Sequence, residues 1–348
     1  MGKAWFTASQ LSRHHPARVR TDLVSDTRRV TLRCAVLDDY QNVALTMGDW
    51  DRLAGRVDVT VFREHLDGED AVAGALADFD IVVIMRERTP FPASLIARLP
   101  RLRLLITSGM RNASVDVAAA AQAGVVVCGT ASRSEPPVEL TWALILGLTR
   151  HVARENHAFH TGGPWQSTVG TDLAGSTLGL VGLGKIGTRV AAVAAAFGMN
   201  VLAWSQNLTH EKAAAAGVQL AGSLPELLSA SDIVSVHVVL SDRTRGLLDA
   251  AALAHLRPHA YLVNTSRAAI VDRDALVDAL RHNRIAGAGL DVFEVEPLAA
   301  DDPLRTLPNV LATPHLGYVT RRNYEGYFRG AVEDIEAFLA GEPTRVIG

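Results

Sequence analysis

The stretch Thr177-Leu178-Gly179-Leu180-Val181-Gly182-Leu183-Gly184-Lys185-Ile186-Gly187 constrains this chain more than any other. The apolar run Thr177 to Val181 reads as a short buried strand. Three glycines follow at G-x-G-x-x-G spacing, and an Ala-rich helix runs on to Phe197. Each glycine has its own physical role. Gly182 permits the tight turn, Gly184 lets backbone approach a pyrophosphate, and Gly187 lets the helix pack close on the strand. The helix N-terminus offers N–H groups and a positive dipole end to phosphates. A dinucleotide is therefore the expected ligand of this turn.

Five apolar runs precede it: Arg33–Leu37, Val57–Phe62, Asp80–Met85, Leu102–Thr107 and Val125–Cys128. Helical stretches lie between them, such as Val115–Ala123, closed by Gly124. Five more runs follow the glycine turn: Asn200–Trp204, Asp232–Val236, Ala260–Asn264, Ala286–Leu290 and Val310–Thr313. Strands alternating with helices imply parallel sheets whose ligands sit beyond the strands' carboxyl ends. The expected fold is α/β, with two Rossmann-like doubly wound domains and a cleft between them. Glu135 to about Asn156 reads as one long helix joining the two. The final helix, Arg321–Leu339, follows the second unit and is expected to return to the first. That gives a substrate domain of 31–130 plus 318–348, flavodoxin-like, and a dinucleotide domain of 131–317. With 348 residues, about two domains is the ordinary expectation.

Charge and cysteine usage narrow the function classes. A net charge of −3 gives no electrostatic footprint for nucleic acid or an acidic membrane. Cys34 and Cys128 sit in apolar runs and read as buried thiols, and no residues show metal-ligand spacing. No stretch reaches the ~20 apolar residues of a membrane span. Residues 1–30 are polar, lack an apolar h-region and read as a disordered extension or a start-site artefact, so a cytoplasmic location is expected.

Three residues at strand ends stand out downstream of the glycines: Arg267, Glu296 and His315. Together they supply an anion clamp, an acid/base and a carboxylate to orient it. The segments Leu173–Gly187, Val263-Asn-Thr-Ser-Arg267, Leu290-Asp-Val-Phe-Glu-Val-Glu296 and Thr313-Pro-His315-Leu-Gly317 occur in this order. On these segments, from about Arg33 to its end, the chain resembles the D-isomer-specific 2-hydroxyacid dehydrogenases. That group includes 3-phosphoglycerate dehydrogenase, glyoxylate/hydroxypyruvate reductase and D-lactate dehydrogenase.

The resemblance implies hydride transfer between NAD(P)H and a small 2-oxo or 2-hydroxy acid of the D series. It assigns the acid/base to His315, its supporting carboxylate to Glu296, the substrate-binding arginine to Arg267 and a nicotinamide-facing aspartate to Asp291. It extends cofactor contacts to Gly182, Gly184, Lys185, Ile186, Gly187, Ser205, His237, Thr265, Ser266 and Gly317. It places substrate contacts at Ser108, Gly109, Met110 and Arg111, with Arg86 matching a position used for anionic substrates. It also implies a homodimer; no regulatory domain is expected beyond Gly348. A corepressor-like protein that senses NAD(H) on the same fold is the alternative from another class.

The chain departs from the family pattern in places. Ser205 stands where NAD enzymes usually carry a carboxylate for the ribose diol. No arginine just beyond it announces NADP, so NAD is expected with NADP left open. Val239 replaces a usual proline, and Arg111 enlarges a loop that is ordinarily smaller. Arg86, Arg88 and Arg111 would make a cationic mouth suited to a phosphorylated or dicarboxylic oxo acid; Arg86 reads equally, and Arg88 more readily, as a partner of Glu87 or a surface residue.

Overall fold

The computed structural model describes residues 31–348. The expectation of disorder for residues 1–30 falls outside the described residues. The chain forms two compact units, one of residues up to Ser132 together with Arg321–Gly348, the other Arg133–Thr320.

The first unit carries strands β1 (Leu32–Val36), β2 (Val57–Val61), β3 (Ile81–Ile84), β4 (Leu104–Thr107) and β5 (Val126–Gly129). All pair in parallel, in the order β2-β1-β3-β4-β5. β3 and β4 are buried at every residue, which is why they read as unbroken apolar runs. Leu76, Phe91, Leu95 and Ile96 close one face; each such side chain contributes roughly 1.5–3 kcal/mol by leaving water. The C-terminal helix Arg321–Leu339 belongs to this unit and buries Tyr324, Tyr327, Phe328 and Ile335. The strand order reverses between β1 and β3, and the loops after these two strands are tied together, the Thr89 hydroxyl donating to Asp38 Oδ2 (2.7 Å).

The second unit carries β6 (Thr177–Val181), β7 (Asn200–Trp204), β8 (Gln219–Leu220), β9 (Ile233–Val236), β10 (Tyr261–Asn264), β11 (Gly287–Leu290) and β12 (Val310–Ala312). They form one parallel sheet in the order β12-β11-β10-β9-β6-β7-β8. β8 has two residues, too few to show a period in sequence. The reversal here lies between β6 and β9, directly above the glycine turn.

The long helix expected over Glu135 to Asn156 is two helices, Glu135–Thr149 and Val152–Thr161. The break has local causes. The Thr149 hydroxyl bonds back to the Ile145 carbonyl (2.9 Å), and the Thr149 carbonyl accepts the N–H of Thr171 (2.8 Å) instead of continuing the helix. His151 then turns into the left-handed region at φ 51°. Val152–Thr161 buries none of its residues, and Phe159 and Trp165 stay 67% and 83% exposed. Among the described residues no helix is long and apolar enough to cross a membrane.

Candidate active site

The glycine turn is built as its spacing requires. Gly182 adopts φ 106°, and a Cβ there would come within 2.8 Å of the His237–Val238 backbone. Gly182 thus serves both the turn and the approach of the loop after β9. Gly187 lies in the first turn of helix Lys185–Ala196, where a Cβ would overlap the Gly182 carbonyl oxygen. Gly184 differs: a Cβ there would meet no protein atom within 4 Å. It is the helix N-cap, and no side chain caps this N-terminus. Uncapped N–H groups at Lys185, Ile186 and Gly187, beside an open glycine, fit a pyrophosphate.

Two further loops border this turn. Ser205 directly follows β7, next to β6, and the Gly182 N–H donates to the Trp204 carbonyl (2.8 Å). The Gln206 side-chain amide reaches the Arg243 carbonyl at 3.5 Å, so the backbone of the loop after β9 borders the Ser205 turn. His237 follows β9 with Nε2 at 2.9 Å from the buried Ser235 hydroxyl. Burial lowers its pKa to about 4, which keeps the ring neutral near neutral pH.

β10, β11 and β12 are neighbours, so the loops leaving their carboxyl ends lie side by side. Asn264 ends β10; its Oδ1 accepts the Ser266 N–H (3.0 Å) and its Nδ2 donates to the Arg267 carbonyl (3.0 Å). The Ser266 hydroxyl bonds the Val238 carbonyl (2.7 Å), and the Thr265 hydroxyl pairs with Thr141 (2.8 Å). These bonds fix the turn presenting Arg267, whose Nη1 donates to the Ser266 carbonyl (2.8 Å).

His315 and Glu296 meet directly: His315 Nδ1 lies 2.7 Å from Glu296 Oε2. The other carboxylate oxygen accepts the Phe293 N–H (2.8 Å), which holds the acid in place. A carboxylate only accepts, so the ring donates from Nδ1 and Nε2 is left for another partner. The ring also meets Tyr318 edge-on, with centroids 5.3 Å apart.

Asp291 is built as an anchor of the histidine loop. It is 1% exposed, and its carboxylate accepts the Thr313 hydroxyl (2.6 Å) and the N–H groups of Leu316 (2.7 Å) and Gly317 (2.8 Å). Burial pushes its carboxyl above the usual range, against those three donors. His315 sits between the clamped positions at φ 53°. A Cβ on Gly317 would come within 3.0 Å of the same carboxylate.

In the first unit, the loops after β3 and β4 meet. Asn112 Nδ2 donates to the Arg86 carbonyl (2.7 Å) and to the Thr107 hydroxyl (2.9 Å), while its Oδ1 accepts the Ser114 N–H (2.9 Å). Arg86, at φ 53°, lays its guanidinium over Gly109; a Cβ on Gly109 would meet its Nη1 at 2.6 Å. Its Nε stands 3.5 Å from Glu87. The Ser108 and Gly109 N–H groups are spent inside the unit, on the Ile84 carbonyl (3.1 Å) and the Thr130 hydroxyl (3.2 Å). Those of Met110 and Arg111 have no protein acceptor among the described residues, and both side chains are exposed. Arg88 braces the loop after β1 instead: Nη1 donates to the Asp38 carbonyl (2.8 Å), and the guanidinium lies over Tyr40 at 4.6 Å.

Sequence reasoning passed over Asn264, Asn112, Thr130, Thr313 and Arg243. Asn264 and Asn112 each bond the N–H two residues on. That Asx-turn habit was the available signal for both. Arg243 and Thr130 act through contacts distant in sequence and carried none.

Comparison with known proteins decides the family. The model of the D-isomer specific 2-hydroxyacid dehydrogenase NAD-binding domain matches residues 142–317. A glyoxylate reductase of Aeropyrum pernix is 38% identical over 257 residues, covering 71% of this chain and 76% of that protein. The chain belongs to the D-isomer specific 2-hydroxyacid dehydrogenase family. A D-3-phosphoglycerate dehydrogenase of Mycobacterium leprae is 37% identical over 282 residues, 80% of this chain. The chain spans only 53% of that relative's length. The crystal structure of a phosphoglycerate oxidoreductase from Vibrio cholerae superposes with a TM-score of 0.85 at 37% identity, covering 89% of this chain and all of the other. Within this family the uncapped helix of residues 185–196 belongs to the NAD-binding domain, and the His315–Glu296 pair stands at its sheet's carboxyl edge.

Proposed function

We propose that this dehydrogenase reduces a small 2-oxo acid to its D-2-hydroxy acid, with His315 as acid/base. Glu296 is its partner and Arg267 holds the substrate carboxylate. The observation that carries the reading is the 2.7 Å bond between His315 Nδ1 and Glu296 Oε2, which leaves Nε2 as the proton-bearing atom for a substrate oxygen. NADH, when bound, supplies the hydride. The chain's own residues then do the rest. Arg267 pairs with the carboxylate and polarises the neighbouring oxo group, a role its planar fork suits better than lysine's point charge. As the oxo oxygen gains charge, His315 Nε2 delivers its proton there. Glu296 stabilises the imidazolium that precedes delivery, and the Phe293 N–H keeps Glu296 in line.

The cofactor contacts are proposed at Gly182, Gly184, Lys185, Ile186, Gly187, Ser205, His237, Thr265, Ser266 and Gly317. The first unit is the substrate unit, contributing the N–H groups of Met110 and Arg111. Arg86 above Gly109 favours an oxo acid with a second anionic group. Helix Val152–Thr161, which buries no residue and exposes Phe159, with the exposed Trp165 beside it, supports a homodimer.

Oxidation of NADH on adding glyoxylate, hydroxypyruvate or phosphohydroxypyruvate tests the activity. Silence with every acid would sink it, and equal kcat/KM for charged and uncharged side chains would remove the role of Arg86. NADPH stays open as the alternative cofactor, because Ser205 stands where NAD enzymes usually carry a carboxylate for the ribose diol. The KM for NADPH against that for NADH decides between them.

A further inference from the structure

The C-terminal segment Thr344–Ile347 is tied to the first unit far more firmly than a chain end requires. It runs antiparallel beside β5, an edge strand. The Gly129 N–H donates to the Arg345 carbonyl (3.0 Å), and the Ile347 N–H to the Val127 carbonyl (2.8 Å). Arg345 spends its whole guanidinium on the C-terminal helix: Nε on Asp334 (3.0 Å), Nη1 on Glu333 (2.9 Å) and Nη2 on the Gly330 carbonyl (2.8 Å). Thr344 adds a hydroxyl bond to the same Asp334 oxygen (3.2 Å). Asp334 is fully buried, and Arg345 holds φ 52°, a conformation that side chains adopt at a cost.

Two routes lead from this latch to the loop after β4. The first is steric. At the position of a Cβ on Gly129, the Gly109 carbonyl oxygen, Met110 Cα and Ile347 Cδ1 all converge, at 2.6, 3.1 and 2.8 Å. The missing Cβ of Gly129 thus makes room for both the loop and the Ile347 methyl. The second route runs through Thr130. Its methyl lies 3.0 Å from a Cβ position on Gly330, the residue whose carbonyl Arg345 holds, and its hydroxyl takes the Gly109 N–H (3.2 Å).

We infer that Arg345 and Ile347 are positioning residues for the Ser108–Arg111 loop, setting the height at which the Met110 and Arg111 N–H groups meet the anion of the substrate. The inference rests on the proposed role of that loop. Neither residue is among the proposed substrate or cofactor contacts. Loss of either one loosens the loop and weakens oxo-acid binding, while the NAD-binding unit is left as it was.

The experiment takes Ile347→Ala and Arg345→Ala, with Ile347→Val and Arg345→Lys as conservative controls. Two readouts are used: steady-state KM for the oxo acid and for NADH, and hydrogen–deuterium exchange of the peptide spanning residues 107–112. The alanine variants are expected to raise the oxo-acid KM about tenfold, the gap that ~1.4 kcal/mol of lost binding makes. NADH KM should stay within about twofold. Exchange in residues 107–112 should quicken, and the conservative variants should recover most of both effects. Unchanged exchange in that peptide overturns the inference whether or not any oxo acid is turned over. An equal rise in both KM values overturns it too, since that is general destabilisation. Faster exchange with no turnover by wild type would keep the coupling and fault the assigned activity instead.

Discussion

Asp291→Asn separates two roles for one buried residue. The family resemblance makes Asp291 a nicotinamide-facing group, whereas its carboxylate is engaged by Thr313, Leu316 and Gly317 on either side of His315. Asparagine keeps the volume but only one acceptor. Its oxygen can still take the Thr313 hydroxyl and the Leu316 N–H, which share Oδ1. Its NH2 then faces the Gly317 N–H, which sits 2.8 Å from Oδ2 at present. Two donors meet in a site that is 1% exposed, so no water relieves them. Leaving a buried donor unsatisfied costs about 1–3 kcal/mol. If about 2 kcal/mol falls on the clamped loop, the working placement of His315 loses about 30-fold in population. The assay is kcat for oxo-acid reduction beside NADH affinity measured by fluorescence. A loss of kcat of up to about 30-fold with NADH affinity held within twofold is the expected result. Weakened NADH binding at full kcat would refute the clamp and return Asp291 to the cofactor.

The glycine turn offers a contrast between two substitutions. Gly184→Ala should leave Tm unchanged, because its Cβ meets only open space, yet weaken NADH binding measured by fluorescence; Gly187→Ala should lower Tm, because its Cβ overlaps the Gly182 oxygen. Retained NADH affinity in Gly184→Ala would mean that no phosphate passes there. His237 sets a stability slope in acid. Its pKa is about 4 folded and about 6.5 unfolded, so between these values the unfolded chain binds more protons and stability falls as pH drops. The full drop is about 3 kcal/mol, and urea midpoints of His237→Gln should lack it; parallel pH profiles would contradict the neutral ring. For the proposed homodimer, Trp165→Ala should lower the mass measured by light scattering from that of two chains toward that of one, and an unchanged mass would remove this face from the proposed interface.

Most of the architecture was legible because parallel strands buried on both faces leave unbroken apolar runs, as in Ile81–Ile84 and Leu104–Thr107. The glycine turn was legible for steric reasons that hold wherever a helix N-terminus abuts a strand end. The helix break at Thr149 was not, because the Thr171 N–H that ends it lies more than twenty residues on. The same limit applies at the site. His315 and Glu296 were readable as a pair from their chemistry. The spending of the Ser108 and Gly109 N–H groups on Ile84 and Thr130 was hidden, since nothing local in the sequence distinguishes them from those of Met110 and Arg111. Arg88, more readily a surface residue or a partner of Glu87 than a substrate contact on sequence alone, bonds the Asp38 carbonyl, a contact too distant in sequence to be read there.

If His315, oriented by Glu296, moves the proton while other residues hold the cofactor, binding and turnover should come apart in a single variant. The decisive experiment is NADH binding and single-turnover reduction of a 2-oxo acid in wild type and His315→Ala. NADH affinity should stay within about twofold of wild type, with the single-turnover rate down at least about 100-fold, the low end for losing a positioned acid. A variant that binds NADH and reduces the acid at the wild-type rate would contradict the role of His315.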